Sequence, residues 1–349
     1  MPRWRLAAVL IVASAFSSFP SVYYATITAD VHGGPWTTPV LFASHGAAAI
    51  LAMSLVAIPV VSAVIERMPL GRYLAIVLLV DAVAGGLLAA SGGATEFTLV
   101  LIGRIVTGLV LGALTPIVAA ALAGHRSGSA ISTAGILGGV GVGSAIAGTL
   151  ALLDVPRSAV FGIGCAALVT TAALVAFSVV RSPGRGQQVS RSAGRLPWFT
   201  LGAAAIAFTA NGVLGLFTSV LPGIVAGASV APGEFTAGLT VAAVLVAAGA
   251  ARLVIPADRS HLARVIAVVC LAAGAAVFLG GLATASVALS LSGGVLLGFA
   301  AGIAYDTALA LAASRTIGAA RVRALATVQR GGQFGLVIPV LLFPLAIQR

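Results

Sequence analysis

The chain has 349 residues, of which 60% are hydrophobic and 8% charged, and its mean hydropathy is +1.15. An ordinary soluble domain is about 25% charged, so this composition excludes a water-soluble globule, which would expose apolar patches large enough to aggregate. The net charge of +11 comes from 19 basic residues, all arginine; they sit between apolar blocks and form no basic patch, which excludes nucleic acid as a partner.

A transmembrane helix needs roughly 20 mainly apolar residues. Eleven such blocks follow one another: 6–27, 40–65, 73–90, 97–123, 131–153, 158–180, 198–224, 235–255, 262–283, 287–313 and 325–346. Arg3 and Arg5 precede the first block, and Ala13, Ser14 and Ala15 resemble a signal-peptidase site. The apolar run continues past that site to Ile27, as expected of a first spanning helix that stays in place. The connections are short and rich in Gly, Pro, Ser and Arg. The longest polar one, 181–197, carries Arg181, Arg185, Arg191 and Arg195. It divides the chain into an N-terminal six-helix bundle (1–180), a cytoplasmic linker (181–197) and a C-terminal five-helix bundle (198–349).

Orientation follows from the positive-inside rule. With the N-terminus in the cytoplasm, the arginines of the connections collect on the inner side. Only Arg157 and the terminal Arg349 fall outside, while Arg104 and Arg330 lie deeper within spans. A miscounted helix would scramble this bias. The expected location is the cell (inner) membrane.

The two halves echo one another. Gly108 and Gly112 in the fourth block recur as Gly298 and Gly302 in the tenth; Glu66-Arg67 has its counterpart in Asp258-Arg259, and Phe16 in Phe208, all at nearly the same offset. This spacing predicts a duplicated unit. Internal repeats mark secondary transporters, whose sites lie at the repeat interface near mid-membrane.

A charge at the centre of a spanning helix costs about 2.5–3.5 kcal/mol on insertion scales and calls for a reason. Asp81, Arg104, Asp306 and Arg330 stand out. Arg104 begins a stripe with Thr107, Gly108, Gly112 and Thr115, whose steps keep to one helix face. Gly294, Gly298, Gly302, Tyr305 and Asp306 do the same in the tenth block. The first block offers Ser14, Ser17, Ser18, Ser21 and Tyr24, and the seventh Thr209 and Asn211. For the glycines and serines, close packing is the competing reading. A carboxyl group held in a low-dielectric cavity is a candidate proton carrier, which singles out Asp306. Asp81 reads equally as a structural partner, Arg330 as a residue that snorkels to the inner interface, and His45 as a hydrogen-bonded helix residue. Cys165 and Cys270 lie inside apolar runs without CxxC or Cys/His spacing, so neither a metal nor a cofactor is expected.

Ser62, Glu66, Arg67, Gly71 and Arg72 resemble the cytoplasmic loop signature of the major facilitator superfamily. The departures are Ser62 for Gly, Glu66 for Asp, a spacer two residues longer, and Tyr73 where a base is usual. Arg104, Thr107 and Gly108 look like the family's fourth-helix motif. Gly139, Gly143 and Gly148 are similar to the fifth-helix motif of its drug/proton antiporter branch, with Ser144 in place of Pro and Ala147 in place of a Gly. The resemblance implies an all-α, multi-pass bundle of two halves, with the loop acting as a conformational latch and the fourth-helix Arg tied to proton coupling. The family usually has twelve spans, so the resemblance also implies that the twelfth is lacking here.

The expected function is secondary active transport by alternating access, with proton-coupled efflux of a small amphipathic or apolar molecule. Arg104 would orient or modulate the coupling carboxylate, Asp306 would carry the proton, and Tyr24, Asn211 and Tyr305 would contact substrate, with Thr107 counted among the substrate and proton-coupling residues. The partners expected are a small-molecule substrate, protons and the lipid bilayer, and the expected state is a monomer. A non-transporting membrane scaffold on the same fold is the alternative. A lipid-modifying enzyme is disfavoured, because the eight acids are scattered and the four histidines isolated.

Overall fold

The computed structural model describes residues 1–58, 61, 64–65, 67–125, 127–177, 198–219, 233–255, 260–284 and 286–347. Among them there is no strand, and 11 helices are long and apolar enough to cross a membrane. In order these are α1 (Arg3–Val22), α2 (Thr37–Val56), α3 (Leu70–Ala89), α4 (Glu96–Leu122), α5 (Gly128–Leu152), α6 (Arg157–Ala176), α7 (Trp198–Ser219), α8 (Gly233–Val254), α9 (Ser260–Ala283), α10 (Val287–Ser314) and α11 (Gly318–Ile347). The linker 181–197, Glu66 of the loop signature, and Asp258 and Arg259 lie outside the described residues.

Helix is the necessary form, because lipid offers no hydrogen bonds and each backbone group must be satisfied within its own segment. Prolines set several starts. Pro2, Pro69 and Pro156 sit in extended conformation immediately before α1, α3 and α6. Ser286 caps α10, its hydroxyl oxygen accepting from the Leu289 amide at 3.4 Å. Pro20 lies inside α1, and the helix ends two residues later at Val22. The chain then turns at Tyr23 into a short helix, Tyr24–Asp30. The first apolar block is therefore two pieces, not one helix to Ile27.

The helices pack as two bundles. In the first, α1 lies against α4, α5 and α6, α2 against α4, and α3 against α4 and α6. In the second, α7 lies against α10 and α11, α8 against α10, and α9 against α10. The bundles meet chiefly along two helix pairs, α5 with α8 and α2 with α11. Alternate helices run in opposite directions. We call the end where α1 starts the near end and the other the far end.

Glycine makes the helix pairs close. A Cβ added at Gly108 or Gly112 of α4 would collide with the carbonyls of His45 and Ala49 in α2. The same collision occurs at Gly298 and Gly302 of α10 against Val244 and Ala248 of α8. The sequence echo between these glycines thus corresponds to the same backbone contact made once in each half. A second seam repeats likewise. Gly139 and Gly143 of α5 abut Ile11 and Ala15 of α1, while Gly331 and Gly335 of α11 abut Ala204 and Phe208 of α7. Gly148 does something different: it meets Gly238 of α8, across the junction of the halves, where Gly138 also meets Gly249.

Two features were not legible from the apolar pattern. Residues Ala134–Gly138 in α5 form one π-helical turn, of the kind that often accompanies functional sites. And α11 starts at Gly318, well before the apolar block, so Arg330 lies twelve residues into the helix and not in its first turn.

Gly302→Ala is expected to lower the thermal unfolding midpoint of the purified protein, reflecting an overpacking cost of about 1–3 kcal/mol. Gly162→Ala, where an added Cβ meets nothing within 4 Å, should leave it unchanged or raise it slightly. Equal effects at the two positions would contradict the seam.

Candidate functional site

Where the two bundles face each other they enclose a cavity of about 100 Å³. Both halves contribute to its wall: α1, α2, α4 and α5 from one, α7, α8, α10 and α11 from the other. Its polar surface comes from Ser14, Ser17, Ser18 and Ser21 of α1, His45 of α2, Arg104 and Thr115 of α4, Asn211 and Thr218 of α7, Tyr305 of α10 and Gln333 of α11. Leucines, valines and isoleucines such as Leu111, Val140, Leu214 and Leu245 fill the remainder. Ile136 and Leu137 of the π-helical turn are also exposed to it.

Arg104 is the one arginine in this wall among the described residues, and only 2% of its surface is exposed. Its Nη1 donates to the Ser17 carbonyl at 2.5 Å, and its guanidinium lies over the Tyr24 ring, 5.7 Å from the centroid. Its Nε hydrogen has no acceptor among the described residues. Thr107, one turn on, donates its hydroxyl to the Arg104 carbonyl at 3.0 Å and contacts His45 Nδ1 at 3.2 Å. Because the Thr107 proton is already committed, His45 Nδ1 is the donor in that second contact. Thr107 and Tyr24 therefore support Arg104 from behind and do not line the cavity themselves. Asp81 is fully buried in α3, and neither carboxyl oxygen has a hydrogen-bond partner among the described residues. It senses Arg104 electrostatically, yet makes no N···O contact of 4 Å or less with it.

Asn211 and Tyr305 both reach the cavity. A side chain at Gly332 would collide with the Asn211 amide and approach the Tyr305 ring, so α7, α10 and α11 converge at that point. Asp306, one residue beyond Tyr305, points elsewhere. Its Oδ2 accepts from Arg252 Nε of α8 at 2.7 Å, a pair whose side chains are 1% and 11% exposed. Ser129 of α5 also lies beside this carboxylate. Sequence pattern alone had no means of joining Arg252 to Asp306, since they lie 54 positions apart on different helices.

Contacts between the halves close the cavity at both ends. At the far end Thr26, in the short helix after α1, donates to Glu234 at the start of α8. Nearby, Arg157 bridges Glu96 at 2.5 Å and Asp30 at 3.6 Å, fastening α6 to α4 and to the short helix. Toward the near end the Thr115 hydroxyl, which also lies 2.9 Å from the Leu111 carbonyl, meets Gln329 Oε1 at 3.1 Å, and Arg330 Nη1 donates to Ser54 at 3.3 Å. In the loop signature Arg67 and Arg72 are exposed and Gly71 is buried. Among the described residues no group of three or more His, Cys, Asp or Glu is placed to hold a metal ion.

No family model matches the sequence, and no curated protein matches it. Solved structures do match in fold. The chain is similar to the major facilitator superfamily proton:xylose symporter XylE bound to 6-bromo-6-deoxy-D-glucose, with a TM-score of 0.74 at 13% identity, covering 99% of this chain and 89% of that one. It is similar also to a bacterial homolog of the human lysosomal transporter Spinster in an inward-facing, unoccupied conformation, with a TM-score of 0.67 at 14% identity, covering 97% and 80%. The fold is that of the major facilitator superfamily.

Arg252→Met, which strands the Asp306 carboxylate, should destabilise the protein by about 3–5 kcal/mol. The double variant Arg252→Met/Asp306→Leu should recover most of that loss, because a well-packed apolar pair replaces a buried ion pair at little cost. Chemical or thermal unfolding in detergent measures both, and a double variant no better than the single one would contradict the pairing.

Proposed function

We propose that the protein is a secondary active transporter that works by alternating access, exporting a small amphipathic or apolar molecule in exchange for protons. One observation carries the reading. A partly polar cavity lies at the junction of two packed halves, with contacts that join the halves at both of its ends. A device that exposes one site to alternate sides of a membrane needs this arrangement, because each set of closing contacts can be given up while the other holds.

In this reading residues 1–180 and 198–349 rock against each other, joined by the cytoplasmic linker 181–197. The near end is cytoplasmic, the membrane is the inner membrane and the working unit is a monomer. Asn211 and Tyr305 contact the substrate directly. Arg104 orients the substrate, and Tyr24 and Thr107 act through it. Asp306 exchanges its Arg252 partner for a proton as the halves move, so the ion pair is the form adopted here. Glu66, Arg67, Gly71 and Arg72 latch the near end, and the α5 glycines Gly139, Gly143 and Gly148 let the halves approach without side chains intervening.

Proteoliposomes loaded with a pH-sensitive dye test the coupling. Addition of hexanesulfonate, hexyltrimethylammonium and hexyl glucoside in turn should produce an internal pH change with at least one of them. Asp306→Asn should abolish that change while keeping solute counterflow. Full pH-coupled flux in Asp306→Asn would remove Asp306 from the proton path. Alternating access is tested separately. In a Cys165→Ala/Cys270→Ala background, a short thiol cross-linker joining Thr26→Cys to Glu234→Cys should stop counterflow, and cleaving the linker should restore it. Undiminished counterflow in the cross-linked protein would contradict the rocking of the halves.

A further inference from the structure

We infer that the transported molecule carries a negative charge, and that its anionic group sits against Arg104 and Ser14 with the apolar body along Leu111, Leu214 and Leu245. This assignment rests on the transport reading above and adds the charge of the substrate to it.

The argument starts from a buried cation. Removing a guanidinium from water costs several kcal/mol even after relaxation, and the cost is offset only by charge pairing or full hydrogen bonding. Arg104 has neither in full. Its described neighbours supply one carbonyl, from Ser17, and the ring face and hydroxyl of Tyr24. No carboxylate lies within 4 Å of it among the described residues, and its Nε hydrogen has no acceptor. The two buried acids nearest in role are both outside the cavity wall. Asp306 is taken by Arg252, and Asp81 lies in α3, which contributes no residue to the lining. The wall therefore carries a guanidinium and no acid among its described residues, and a solute between the halves meets a positive field.

The hydroxyls beside Arg104 sharpen this. Ser17, Ser18 and Ser21 each donate to a carbonyl one turn back, at 2.8, 2.7 and 2.5 Å. Their protons are thus committed to α1 itself. Ser14 Oγ is the exception, fully buried and without a partner among the described residues. Arg104 and Ser14 both line one cavity, and Arg104 Nε and Ser14 Oγ are buried donors without an acceptor among the described residues. An oxyanion is the partner that a guanidinium and a hydroxyl donor call for, whereas an amine or quaternary ammonium would place a second cation beside the guanidinium. The leucines complete a site for an amphipathic monoanion.

The test is ligand-induced thermal stabilisation of the full chain in nanodiscs, which reports binding whether or not transport occurs. The probes are hexanesulfonate, hexyltrimethylammonium and hexyl glucoside, which share one tail length and differ in head charge; the two ions stay charged at every working pH. Hexanesulfonate should raise the unfolding midpoint and hexyltrimethylammonium should not. Arg104→Gln should weaken hexanesulfonate roughly tenfold or more, the loss of a charge-assisted hydrogen bond, and Arg104→Lys should weaken it less. If Arg104→Gln does not fold, the wild-type ranking of the three probes still decides. Stabilisation by the cation or the neutral probe in preference to the anion, or by none of the three, would overturn the charge assignment. The cross-linking result would then still stand or fall by itself.

Discussion

In a bilayer two helices gain nothing by hiding apolar side chains from each other, because lipid tails are as apolar as leucine. What remains is close packing and the satisfaction of polar groups. In this chain the packing term is concentrated at glycines that bring one helix backbone onto another. Gly108 and Gly112 seat α4 on α2, Gly298 and Gly302 seat α10 on α8, and Gly331 and Gly335 seat α11 on α7. With the backbones locked within each half, the side chains between the halves are left free to form a cavity and two closures. The bundle is therefore rigid where the helices of one half meet, and the contacts that hold the halves together near the ends are a few single hydrogen bonds.

That division accounts for where the polar residues lie. Within the halves, isolated hydroxyls such as Thr171 and Thr240 bond back to their own helix and carry no further role. Between the halves, Thr26, Ser54, Thr115 and Gln329 make single bonds across the junction. A neutral hydrogen bond nets only about 0.5–1.5 kcal/mol, and one with a charged partner, such as Glu234 or Arg330, about 1.5–3 kcal/mol, weak enough to be exchanged one set for another. The α5–α8 junction is the exception, since Gly148 against Gly238 and Gly138 against Gly249 bring two backbones together across the halves. Glycine faces without side chains can slide or pivot with little steric resistance, which suits a hinge line in a rocking device.

Much of this was legible in the sequence, and the physical reasons divide cleanly. All eleven apolar blocks correspond to spanning helices, because in lipid the apolar run and the hydrogen-bonded segment must nearly coincide. The ends were less legible. Helix α11 extends back to Gly318 through Arg321 and Arg323, since a helix does not stop where apolarity stops. Arg104, Asn211 and Tyr305 were recognisable as cavity residues from their polar faces at helical spacing, and the structure brings the three to one cavity. The partner of Asp306 was not recognisable, because an ion pair between α8 and α10 depends on which faces meet in three dimensions. The π-helical turn at Ala134–Gly138 was hidden because a glycine-rich segment accepts either helix type and the apolar pattern does not choose between them.

The central claim is that two rigid halves move about a fixed cavity, and distance measurement between spin labels tests it most directly. One pair, at Arg67 and Ile317, spans the halves at the near end; the other, at Ala94 and Thr284, spans them at the far end. In nanodiscs, across pH and added solute, the near-end distance should lengthen as the far-end distance shortens. Two distances that each hold one value under every condition would contradict it.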